Sequence, residues 1–148
     1  WNDSIRKESK HRIYHAVVEP ILTYAAETWT MSPQLYSRVQ VVEMDCWRRC
    51  LRLTRMDKER KEVVRERIGA SVSVCDRIAQ RRLRWYGHVR RMPEERWPGR
   101  VMDWQPPGRR RRGRPRSRWI NGVHEEMAGR GLQEGDWRDR NLWSSALA

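Results

Sequence analysis

Phenylalanine is absent from these 148 residues, and lysine occurs only at Lys7, Lys10, Lys58 and Lys61. Without Phe, nine Trp and four Tyr must supply the bulky aromatic burial. Hydrophobic residues make up 38% of the chain, so a small core is expected rather than a large one. With so little lysine, the formal net charge of +13 is carried almost wholly by arginine. Guanidinium groups favour bidentate contacts to phosphate and stacking on bases, and a charge so far from zero points to a polyanionic partner.

Long apolar runs are also missing. None approaches the roughly 18 residues a membrane span needs, and the longest weakly charged stretch, Ala16 to Tyr36, is interrupted by Glu19, Pro20 and Glu27. No secretory h-region is present. Cysteine is sparse, at Cys46, Cys50 and Cys75. An odd number without a signal peptide argues for reduced thiols and an intracellular site. Cys46 and Cys50, four apart, share a helical face but form no C-x₂-C pair, and with His88 they are expected to pack or hydrogen-bond rather than hold zinc.

Catalytic signatures are equally scarce. There is no Gly-rich phosphate loop, no H-E-x-x-H and no G-x-S-x-G. Glu94-Glu95 and Glu125-Glu126 lie in polar surroundings, whereas two-metal chemistry needs carboxylates converging on ions about 3.5–4 Å apart. No active site, cofactor or metal is expected in the isolated chain. The opening at Trp1, without an initiator Met and already polar and helix-like, reads as the start of a C-terminal piece.

What the chain does have is helical periodicity and basic charge. The pattern predicts a mostly α, small bundle of about five to six helices with a long basic Pro/Gly/Arg-rich connector and no substantial sheet. A first helix is expected over Asp3 to Val18 with Ile5, Ile13 and Val17 inward, broken or kinked at Pro20, with Ile21 to Trp29 as a more buried turn. Ser32 and Pro33 open a helix whose apolar stripe is Leu35, Val39, Val42, Cys46 and Cys50. Asp57 to Ile68 forms another helix, stopped by Gly69. A capping box at Ser73 and Asp76 starts a helix running to about Arg91, with Val74, Ile78, Trp85 and Val89 inward. Prolines and glycines between Met92 and Gly113 predict an extended connector. Ser117 is expected to cap a helix carrying Trp119, Ile120, Val123 and Met127, and a last helix covers Asp136 to Leu147. The domain reading is residues 1–91 helical, 92–116 connector and 117–148 a C-terminal helical segment.

From Arg77 to Arg118 there are fifteen arginines against Glu94, Glu95 and Asp103. One contact face is expected from Arg81, Arg82, Arg84, His88, Arg90 and Arg91, with Tyr86 exposed beside it and Trp85 in the core. A second is expected from Arg109, Arg110, Arg111, Arg112, Arg114, Arg116 and Arg118. Both would neutralise phosphates without reading sequence. Arg112-Gly113-Arg114-Pro115 matches the core of an AT-hook, in which Gly lies deep in an A·T minor groove and the arginines follow its potential. A small nuclear AT-hook-type DNA-binding protein is therefore the alternative, and the same residues suit nuclear localisation.

Four segments, "RIYHAVVEPILTYAAETWTM", "VVEMDCWRRCLRLTRMDKERKEVVRERIG", "RRLRWYGHVRRMPEER" and "RRRGRPRSRWINGVHEEM", occur in an order that resembles the C-terminal end of reverse transcriptases of non-LTR (LINE-type) retrotransposons. The resemblance covers about residues 12 to 127. It implies the thumb and post-thumb region of an RNA-directed DNA polymerase, with the catalytic fingers and palm upstream. It implies RNA, DNA or an RNA–DNA hybrid as partner together with that upstream fingers and palm, and no membrane. Location would be the nucleus, or the cytoplasm as a ribonucleoprotein. The full-length enzyme is expected to use Mg, with no cofactor in this part. Ala25 stands where the family commonly has Gly, and Cys46-Trp47 replaces more usual residues.

Overall fold

The computed structural model describes residues 4–105, 108, 113 and 117–148. They are mostly α-helical, and among them there is no strand. None of their helices is long and apolar enough to cross a membrane. The chain forms two compact units: residues up to Ala26 with Met31–Ile78, and Glu27–Thr30 with Ala79–Ala148. The two units meet in sequence between Ile78 and Ala79.

In the first unit α1 (Lys7–Ile13) runs through a π-helical turn (Tyr14–Val18) into α2 (Glu19–Leu22). Pro20 was expected to break or kink this stretch. Instead, the N–H of Glu19 reaches back five residues to the Tyr14 carbonyl. The wider turn accommodates a ring that would press on the preceding turn and an imino acid with no N–H to donate. Tyr14 is the inward residue, with its ring centroid 4.0 Å from that of Trp47. Ile13 and Val17, expected inside, are exposed. The stretch from Ile21 to Trp29 is likewise less buried than expected: Ile21 and Tyr24 are exposed, and only Thr23 and Ala26 are fully inside.

Ala25 adopts a left-handed φ of 52°. A Cβ in that region costs roughly 1 kcal/mol or more, so glycine would sit there with less strain. Ala25→Gly is expected to stabilise the protein by up to about 1 kcal/mol, raising Tm by a few degrees in a thermal melt. An unchanged or lowered Tm would mean that the turn is not strained.

The cap of α3 (Pro33–Leu51) is as expected: Ser32 Oγ accepts from Leu35 N at 3.2 Å, with Pro33 in the first turn. Its inward face is rotated from the expected stripe. Val39 and Cys50 are buried, but Glu43, Met44 and Trp47 fill the interior, Cys46 is half-buried and Val42 is exposed. Trp47 takes the place because its ring packs against Tyr14 and stacks on His11. Glu43 is drawn inward by two donors. Its Oε2 lies 2.7 Å from Arg65 Nη2, and its Oε1 accepts from Val74 N at 2.9 Å.

The next helix, α4 (Lys61–Ile68), starts four residues later than expected because Asp57 is engaged elsewhere. It accepts from Thr54 N at 2.6 Å in a capping box over a short 3₁₀ turn, Arg55–Asp57. Gly69 ends α4 at φ 79°, where a Cβ would be strained. The Ser73–Asp76 capping box then opens α5 (Val74–Arg90) as expected.

In the second unit the stretch expected as an extended connector contains a helix, α6 (Trp97–Asp103). Pro98 sits in its first turn, where no intrahelical N–H bond is lost. α7 (Trp119–Gly129) follows, with Arg118 at its N-cap and no side-chain cap bond, so Ser117 does not play the expected part. The last expected helix is divided into a 3₁₀ turn, Asp136–Arg138, and α8 (Arg140–Ala146), because Asp139 caps the latter through Asn141 N and Leu142 N. Leu83, Tyr86, Val123, Met127, Leu132, Trp143 and Leu147 form this unit's core.

Candidate nucleic-acid interface

The motif "RRLRWYGHV" lies on the part of α5 that belongs to the second unit, and it divides into two faces. Leu83, Tyr86 and Val89 point into the core. Gly87 is there because Trp143 lies against it: a Cβ would meet the indole Nε1 at 2.5 Å, and that Nε1 donates to the Leu83 carbonyl at 3.2 Å. The other face presents Arg81, Arg84, Trp85 and His88, spaced i, i+3, i+4 and i+7, which line one hollow with Glu27.

Arg82 was expected at the surface but is 1% exposed, with its Nη2 3.0 Å from Glu126 Oε1. It is part of the second unit's interior, paired with that carboxylate. Tyr86 was expected to be exposed and Trp85 buried; the order is reversed, at 0% and 38%. The Tyr86 ring sits near Trp119 and Trp143, and its hydroxyl donates to Glu134 at 2.8 Å. Burial is the main cause that raises its pKa. Arg90 pairs with Asp103 at 2.7 Å, and Arg91 donates to the Trp137 carbonyl at 2.6 Å, so both are tied into the fold.

Arg84 and His88 remain exposed and Arg81 is half-buried on the hollow. Arg84 has no carboxylate partner among the described residues. Arg118 is exposed just before α7. Arg109, Arg110, Arg111, Arg112, Arg114 and Arg116, and with them the AT-hook match, lie outside the described residues.

Two of the recognised segments meet directly. Trp119 Nε1, at the end of "RPRSRW", donates to the carbonyl of Glu27 in "YAAETW" at 2.7 Å. Nothing in the local sequence of either segment signals this pairing. Beyond Trp85, aromatic surface is also presented by Trp97 and Trp104 on and after α6, 70% and 65% exposed, with the Arg100 guanidinium 4.7 Å from the Trp97 ring. The sequence reading missed this patch because it took the region for extended connector.

In the first unit, sequence reasoning also passed over an H-x₃-H pair. His11 Nε2 and His15 Nε2 are 3.0 Å apart, and His15 Nδ1 bonds the buried Glu19 carboxylate. Burial, then the neighbouring His15 and Arg77, lowers the pKa of His11. Among the described residues no three His, Cys, Asp or Glu side chains gather to hold a metal ion. Cys50 belongs to the first unit's core with Cys46 packed against it, and burial pushes all three thiols up, Cys75 to about 11, away from the reactive thiolate range.

The fold and this face define a mostly helical, strongly basic chain with arginine, histidine and tryptophan displayed together. It is similar to a transposon-derived protein of Caenorhabditis elegans, with 31% identity over 133 residues, covering 86% of this chain and 48% of that protein. The chain thus spans about half the length of the curated relative it matches, and the similarity ties it to transposon-derived sequence. No family model matches it. No solved structure matches it.

Proposed function

We propose that the chain is the thumb and post-thumb region of a non-LTR retrotransposon reverse transcriptase, and that it holds template–primer or element RNA through arginine-rich surfaces without sequence specificity. The observation that carries this reading is the outward face of α5, where Arg81, Arg84, Trp85 and His88 line one hollow. Guanidinium groups there neutralise phosphates, and chemistry is left to residues upstream, so the isolated chain polymerises nothing. The order of four reverse-transcriptase-like segments and the likeness to a transposon-derived protein support it. The nucleus, where such an element integrates, is its proposed place of action.

Binding of this kind is driven by release of counterions. If about six arginines engage, affinity for an RNA–DNA hybrid falls by roughly 10³-fold between about 50 and 200 mM salt. A filter-binding titration reads this directly. A flat salt response, or a preference for A·T-rich duplex over hybrid, would overturn the proposal.

A further inference from the structure

Trp85 is a wall shared by two unlike depressions of the second unit. On one side is the hollow of Arg81, Arg84 and His88, which carries a single carboxylate, Glu27. On the other is a cleft of about 240 Å³, lined almost entirely by apolar groups: Trp85, Val89, Pro98, Val101, Met102 and Trp119. That volume is below the roughly 300 Å³ at which pockets for drug-sized ligands begin, so it suits one flat ring system. Val101, on the cleft's wall, is itself 64% exposed.

A ligand that uses both sides of Trp85 must join a flat, stackable group to an anion across a short link. A nucleotide has this constitution, with base and phosphate joined through one sugar. In a duplex the base faces are covered by stacking, so only an unpaired base can enter a side cleft and offer its face to tryptophan. The charge beside the cleft favours a polyanion over an apolar side chain from another protein, because Arg84 is exposed and without a carboxylate partner among the described residues.

We propose that this cleft receives an unpaired nucleobase, stacked on Trp85, while Arg84 across the ring takes the phosphate of the same strand. The protein thereby prefers single-stranded or frayed ends to closed duplex. This rests on the nucleic-acid reading above and adds to it a site for the base.

The test compares the 148-residue chain and its Trp85→Ala, Trp85→Leu and Arg84→Ala variants on a single-stranded oligonucleotide and a blunt duplex of equal length at low salt. Stacking on an aromatic side chain contributes about 1–3 kcal/mol per base. Trp85→Ala is therefore expected to weaken single-strand binding by about 5-fold to 150-fold and to weaken duplex binding clearly less. Trp85→Leu preserves apolar bulk without the π face and should show the same selective loss, which keeps the test valid should the alanine variant fold poorly. Arg84→Ala should weaken both ligands. If the Trp85 variants weaken both ligands equally or neither, while Arg84→Ala weakens both, the base site is wrong and the nucleic-acid reading stands. If the unaltered chain binds neither ligand, the nucleic-acid reading itself is wrong, and the cleft is left to an apolar side chain of a protein partner.

Discussion

Glu43→Ala is expected to destabilise the first unit by about 3–5 kcal/mol, the cost of leaving a buried ionic partner uncompensated. The carboxylate is 2% exposed and serves two donors at once, the Arg65 guanidinium on α4 and the Val74 N–H that opens α5. Removing it strands a guanidinium whose side chain is 18% exposed, and leaves one of the free N–H groups of a helix start without its acceptor. It thereby loosens α3, α4 and the first turn of α5 together. Glu43→Gln keeps an amide oxygen for Val74 N and loses only the ionic part, so it should fall between alanine and the parent chain. Urea unfolding of the three proteins measures this order. A loss under about 1 kcal/mol for the alanine variant would show that the buried pair contributes little.

Arg82→Ala is expected to cost a similar amount, about 3–5 kcal/mol, in the second unit. Arg82 is among the largest fully buried side chains, and Glu126 opposite is only 14% exposed, so deletion leaves a cavity and takes the guanidinium away from that carboxylate. The space is tight: a Cβ on Gly122 would lie 2.5 Å from Arg82 Nη1. Arg84, two residues along the same helix, is exposed and should tolerate alanine within about 0.5 kcal/mol. Thermal melts of the two variants separate them. Equal, small shifts would mean that Arg82 is not an interior residue.

This contrast shows what a sequence can and cannot disclose. Ser32, the Ser73–Asp76 box and Gly69 were legible because caps and stops are local, satisfied within three or four residues. Glu43 and Arg82 were not. Apolar periodicity assigns charged residues outward, and their partners Arg65, Val74 and Glu126 lie 22, 31 and 44 positions away in the chain. The exchange of Trp85 and Tyr86 has the same origin: which neighbour is buried depends on Trp119, Trp143 and Glu134, all far downstream. α6 was hidden by Pro98 and Gly99, which read as breakers although proline is acceptable in a first turn. The outward face was within reach, since Arg81, Arg84, Trp85 and His88 follow helical spacing. Placing Trp85 on the apolar stripe with Ile78 and Val89 obscured it.

On the proposed reading the outward face of α5 touches phosphate while its inward arginines support the fold. The slope of log affinity against log salt for an RNA–DNA hybrid, measured for the unaltered chain and for Arg84→Ala, tests it most directly. Loss of one phosphate contact should reduce that slope by about 0.7–0.9 with Tm unchanged. An identical slope in the two proteins would contradict it.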